Sequence, residues 1–117
     1  MKLKDLTREQ ATEIAKLCYN FDDGIKSDFK FHYQPYDASW YEDAREFISV
    51  IFDGIIFADK IYKIKLEIQP NLDCHLFYLN FDKTINLDVY NLIGCNNQNK
   101  IQRKFIEWGI EPDYTKN

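Results

Sequence analysis

Residues 62–68 read Tyr62-Lys63-Ile64-Lys65-Leu66-Glu67-Ile68 (YKIKLEI), an unbroken alternation of apolar and charged side chains. Successive side chains of a strand point to opposite faces, so a period of two places Tyr62, Ile64, Leu66 and Ile68 on a buried face. Lys63, Lys65 and Glu67 fall on a wet one. A sheet with one wet face is characteristic of antiparallel pairing, since all-parallel sheets are covered on both sides. This stretch therefore calls for an antiparallel sheet with an apolar cover on one face.

The neighbouring segments extend that sheet. Pro70 and Asn71 form a turn, and Cys74 to Phe81 (CHLFYLNF) reads as the partner strand, apolar enough for a central position. Upstream, Phe29, Phe31 and Tyr33 alternate with Lys30, His32 and Gln34 in a half-buried strand that Pro35 closes, because proline cannot donate to a ladder. Between the two lies a stretch with two readings, strand or helix over 46–52. Ser39-x-x-Glu42 is a capping box, and Trp40, Ala44, Phe47, Ile48 and Ile51 keep helical spacing, yet FISVIF is a β-branched and aromatic run. The reading divides it into a short helix from Trp40 to Ala44 and a strand from Glu46 to Phe52. Asp53-Gly54 then serves as a hairpin turn, with Ile55, Ile56 and Phe57 starting the returning strand. Residues 82–99 carry weak signals and read as a loop with a possible short element.

Two amphipathic helices supply the cover. Thr7-x-x-Gln10 is a capping box, Leu6 can act as a staple, and Ala11, Ile14, Ala15 and Cys18 line one face of a helix from about Thr7 to Tyr19. NFDDG at 20–24 ends it. Near the other terminus Asn96 or Asn97 can cap a helix whose stripe is Ile101, Phe105 and Trp108. Gly109 takes the position after its end, and Ile110 packs back on Phe105 in a Schellman-type close. With 117 residues and no linker or repeat, the chain is expected to form one α+β domain over 1–117. The architecture expected is a four- or five-stranded, mainly antiparallel sheet with the N- and C-terminal helices packed on one face.

Composition narrows function by exclusion. An aromatic fraction of 16% supplies core volume without metal or disulfide staples. The net charge of −4 has the wrong sign for a surface that gains affinity by displacing counterions from phosphates, so nucleic acid is a disfavoured partner. Acidic residues concentrate in 22–59, as a solvated face or as a patch for a basic partner. Three widely spaced cysteines, Cys18, Cys74 and Cys95, fit reduced thiols in a cytoplasm better than a secreted disulfide scaffold. The N-terminus shows no apolar export signal, and no stretch is long enough to span a bilayer.

Motifs for chemistry are sparse. There is no C-x-x-C, and Cys74 and His75, adjacent in a strand, point to opposite faces, so no metal site is expected. Cys18 on a helical stripe reads as a small buried hydrophobe. A nucleophilic Cys74 or Cys95 served by His32 stays open, whereas Walker, dinucleotide and nucleophile-elbow signatures are absent; no catalytic residue and no cofactor is assigned. Asp22 and Asp23 before Gly24 fail as a calcium loop, because its first position would be Tyr19. The remaining candidate is the segment FKFHYQPYDASWY at 29–41, which crowds Phe29, Phe31, Tyr33, Tyr36, Trp40 and Tyr41 together, with acids following. Tyr and Trp anchor interfaces because they join large apolar area to a polar handle. The binding residues expected are Phe31, Tyr33, Tyr36, Asp37, Trp40, Tyr41, Glu42 and Asp43.

LTREQATEIAKLCY, YQPYDASWYEDAREF and QRKFIEWGIEPDY together resemble small uncharacterised proteins of gut Bacteroides-type bacteria and their phages or mobile elements. The resemblance implies a cytoplasmic accessory protein and transfers no residue role. The function expected is a non-catalytic protein-binding or regulatory domain that uses its acidic, aromatic middle. The alternative is a small enzyme or ligand-binding domain with a pocket between sheet and helices. A third possibility, mimicry of nucleic acid by the acidic block, calls for carboxylates spaced along one exposed face.

Overall fold

A computed structural model of the chain describes residues 1–19, 29–36, 45–55, 61–82, 87–93, 95 and 97–115. After a single 3-10 turn at Leu3–Asp5 come α1 (Arg8–Tyr19), β1 (Lys30–Gln34), β2 (Phe47–Ile55), β3 (Ile61–Ile68), β4 (Cys74–Asp82), β5 (Leu87–Ile93) and α2 (Gln98–Glu107). The strands form one five-stranded sheet in the order β1-β2-β3-β4-β5, and every neighbouring pair is antiparallel. Each strand thus pairs with its neighbours in sequence, the shortest connection available to an antiparallel sheet.

Register decides which side chains share a face. Ile48 stands opposite Ile68, Val50 opposite Leu66, and Phe52 opposite Ile64, while Leu66 pairs onward with Leu76. All seven are buried, and they join Ala11, Ile14, Ala15 and Cys18 of α1 and Ile101 and Phe105 of α2 in one core. Both helices therefore lie on the same side of the sheet. Burying a large aliphatic or aromatic side chain contributes about 1.5–3 kcal/mol, so this layer dominates the stability of the fold. Leu3 and Leu6 extend it beneath the entry to α1.

Local chemistry accounts for two of the helix ends that the sequence marks. The Gln10 amide donates to Thr7 Oγ1 at 3.1 Å, and the Thr7 amide donates to Gln10 Oε1 at 3.0 Å, a reciprocal capping box. At the end of α2 the Ile110 amide donates to the Phe105 carbonyl at 2.9 Å and the Gly109 amide to Ile106 at 3.0 Å, the Schellman pattern. Gly109 has φ +70°, where a side chain would be strained. The two helices are tied together by Lys104, whose Nζ lies 2.9 Å from Glu13.

Several local expectations are corrected. Asp53 and Gly54 do not turn: they continue β2, paired with Lys63 and Tyr62, and Ile55 closes that strand instead of opening the next. Keeping Ile48, Val50 and Phe52 against the core extends the ladder past the dipeptide, and Lys63 Nζ meets Asp53 Oδ1 at 3.1 Å across it. Residues 46–52 resolve as strand from Phe47 onward. The region read as loop with a possible short element does contain one, β5, whose weakly patterned segment is recruited by backbone pairing with β4. Asn97 takes the N-cap position of α2, in the left-handed region, with its carbonyl accepting from the Ile101 amide at 3.0 Å, but its side chain makes no capping bond; its side-chain amide donates instead to the Leu17 carbonyl at 3.1 Å, joining α2 to the end of α1. The NFDDG turn, the short helix at 40–44 and Asn96 lie outside the described residues.

Candidate functional site

The aromatic segment begins as core. Phe29 packs on Phe52 with ring centroids 5.1 Å apart, and Phe31 and Tyr33 pair with Val50 and Ile48, on the face that the helices cover. All three are half-buried against the core. The Tyr33 hydroxyl donates a hydrogen bond to Glu46, whose residue is buried at the start of β2. Burial, with that bond to a carboxylate, pushes the Tyr33 phenol above its ordinary range. Beyond Pro35 the environment changes, because Tyr36 is 53% exposed. Of the expected binding residues, Phe31 and Tyr33 thus contribute to packing and Tyr36 faces solvent. Asp37, Trp40, Tyr41, Glu42 and Asp43 lie outside the described residues.

The chain returns from this segment at Arg45, which opens a second feature, on the face of the sheet opposite the helices. Arg45 Nη1 lies 2.7 Å from Glu67 Oε1, and Lys65 Nζ lies 3.7 Å from Glu67 Oε2. The same two cations lie over the Phe47 ring, each 5.2 Å from its centroid. Glu67 sits on the central strand with its side chain only 6% exposed. A carboxylate so desolvated is costly unless paired, and the two cations answer it. Register also aligns His32, Ser49, Glu67 and His75 in one row across β1 to β4. Sequence reading assigned Lys65 and Glu67 to a wet face but missed this cluster, because its partners are separated by about twenty residues of chain and joined only by register.

The row does not amount to a catalytic triad. Glu67 is held by Arg45 and Lys65, and the His75 ring lies 6.4 Å from that of Phe77. A Ser–His–carboxylate device needs the carboxylate to orient the imidazole. A thiol nucleophile based on Cys74 and His32 is excluded by register: Cys74 pairs with Ile68 on the helix-facing side, whereas His32 pairs with Ser49 on the other. Among the described residues no group of three or more His, Cys, Asp or Glu is arranged to hold a metal ion. None of the described helices is long and apolar enough to cross a membrane.

The space between sheet and helices is filled by side chains such as Ile14, Ile48, Phe52, Leu66, Ile101 and Phe105, each no more than 2% exposed. A depression lined by Asn97, Gln98, Lys100 and Arg103 opens over the start of α2. It is polar and faces solvent. No family model matches the chain, and neither a curated protein nor a solved structure shows significant similarity to it.

Proposed function

We propose that the protein is a non-catalytic binding domain that engages another protein through the connection between β1 and β2, with Tyr36 as an anchor. The observation that carries this reading is the change of environment along one aromatic run. Phe29, Phe31 and Tyr33 are committed to the core, while Tyr36, a few residues on, is exposed just past the end of the edge strand β1. An exposed aromatic on a fixed scaffold costs little entropy to dock. The acids Asp37, Glu42 and Asp43 follow it in sequence, so the partner surface that complements them is basic. A cytoplasmic accessory role fits the reduced thiols and the charge balance, and the same acidic charge disfavours nucleic acid.

The experiment is affinity capture from the native host with the intact chain, Tyr36→Ala, Trp40→Ala and the double variant, with folding of each checked by circular dichroism. A partner retained by the native chain and lost at least tenfold from the folded double variant supports the reading. Equal recovery of that partner on the double variant overturns it. Retention should weaken as salt rises, because acidic side chains steer and hold a basic surface.

A further inference from the structure

The two limbs of the β1–β2 hairpin part at the rung where Gln34 stands opposite Phe47. Pro35 comes next and has no amide hydrogen to donate, so the ladder does not continue through it. Tyr36 and Arg45 each stand two residues beyond that rung, one on each limb. A two-residue turn would fix its own ends, but a connection over residues 35–46 has to be held at its mouth by other contacts.

Three side-chain contacts gather at that mouth. The Tyr33 hydroxyl donates to Glu46 on the helix-covered face. The Gln34 side-chain amide donates to the Arg45 carbonyl at 3.0 Å, joining limb to limb. On the opposite face Arg45 Nη1 lies 2.7 Å from Glu67 Oε1, and its guanidinium lies over the Phe47 ring. Of the three, only the last reaches outside the hairpin, to the central strand β3.

We infer that Arg45, anchored by Glu67, is a positioning residue for the Tyr36 binding site, because it ties the limb across from Tyr36 to the centre of the sheet. The inference rests on the binding reading above and names the residues that pre-form that site. Two features give the ion pair more weight than the other contacts. The Glu67 side chain is enclosed, so its carboxylate is poorly solvated and holds a cation more strongly than an exposed one does. β3 is also bonded to a strand on each side, which makes Glu67 a fixed point, whereas Tyr33 and Gln34 belong to an edge strand. A planar guanidinium suits the task because it stacks on Phe47 and donates to Glu67 at once. With the anchor in place, a partner docking on Tyr36 has less chain to order; without it, that ordering is subtracted from the affinity.

Arg45→Met is the test variant. Methionine keeps an apolar contact with Phe47, and Lys65, 3.7 Å from Glu67, leaves the carboxylate paired, so the fold is retained. The first readout is amide exchange followed by NMR on the free, full chain. In Arg45→Met the amides of Tyr36 and residues 45–47 should exchange about tenfold faster, while those of 48–52 and 62–68 stay within about twofold. Arg45→Lys, which keeps a cation, should fall between the variant and the native chain. The second readout is the fluorine NMR line of Tyr36 in fluorotyrosine-labelled chain, assigned with Tyr36→Phe, which should narrow in Arg45→Met. Neither readout needs a partner, so both decide the positioning role even if Tyr36→Ala with Trp40→Ala retains its partner and the binding reading fails. Unchanged exchange at the mouth, or a rise spread evenly over the sheet, would overturn the inference. Undiminished recovery on Arg45→Met of a partner that the Tyr36, Trp40 double variant loses would overturn it as well.

Discussion

The two faces of the sheet are made from the same strands and solve opposite problems. On the helix-covered face, Ile48, Val50, Phe52, Ile64, Leu66, Ile68 and Leu76 are buried against α1 and α2, and polar pairing is confined to the rim, where the buried Glu46 accepts from the Tyr33 hydroxyl. On the other face, one residue along each strand, Phe47, Ser49 and Glu67 are also buried, and there the layer consists of a carboxylate between two cations and an aromatic ring beneath them. The first face gains free energy from area removed from water. The second must offset the desolvation of charge by pairing, so its net contribution is smaller. Equal burial on two sides of one sheet therefore does not mean equal stabilisation.

Leu66 and Glu67, neighbours in sequence on opposite faces, test this most directly. Leu66→Ala leaves a cavity at the centre of the core and is expected to cost about 3–4 kcal/mol in urea or thermal unfolding. Glu67→Gln removes the charge but keeps the shape, and Arg45, more than half exposed, can return to water. Its cost is expected to be about 1–2 kcal/mol. If the two substitutions cost the same, the distinction between the faces fails.

The smallest effect is expected at the rim, where Tyr33 belongs to the helix-covered face and yet bonds to a carboxylate. Tyr33→Phe should cost about 1 kcal/mol near neutral pH. The folded protein holds this phenol above its unfolded value of about 10, so the contribution is complete below that pH and is lost as the pH rises beyond it. The stability gap between the native chain and Tyr33→Phe should therefore shrink in alkaline denaturation curves above pH about 10. A gap that stays constant there would mean that burial of Tyr33 does not resist ionisation.

Features that a few consecutive residues control were legible in advance. The Thr7–Gln10 box, the Gly109 close of α2 and the alternation in β3 each depend on contacts within one turn or one pleat, and all appear as read. Asp53-Gly54 shows where that logic stops, since its turn preference is worth less than the continued pairing of Phe52 with Ile64. β5 was hidden for the same reason, because partnership with β4, and not its own pattern, makes it a strand. The aromatic run from Phe29 was recognisable as unusual, but which of its rings were core depended on where β2 would lie.

By itself, the sequence determined an antiparallel α+β domain with two capped helices on one face, since periodicity and end signals act over one or two turns. Tertiary structure alone decided that the Cys95 thiol would reach the Cys74 carbonyl, that Glu67 would be enclosed by Arg45 and Lys65, and that Tyr36 would be left exposed where Tyr33 was not. Each of these depends on strand register and helix placement, which are set by burial of the whole core and not by any local run of residues.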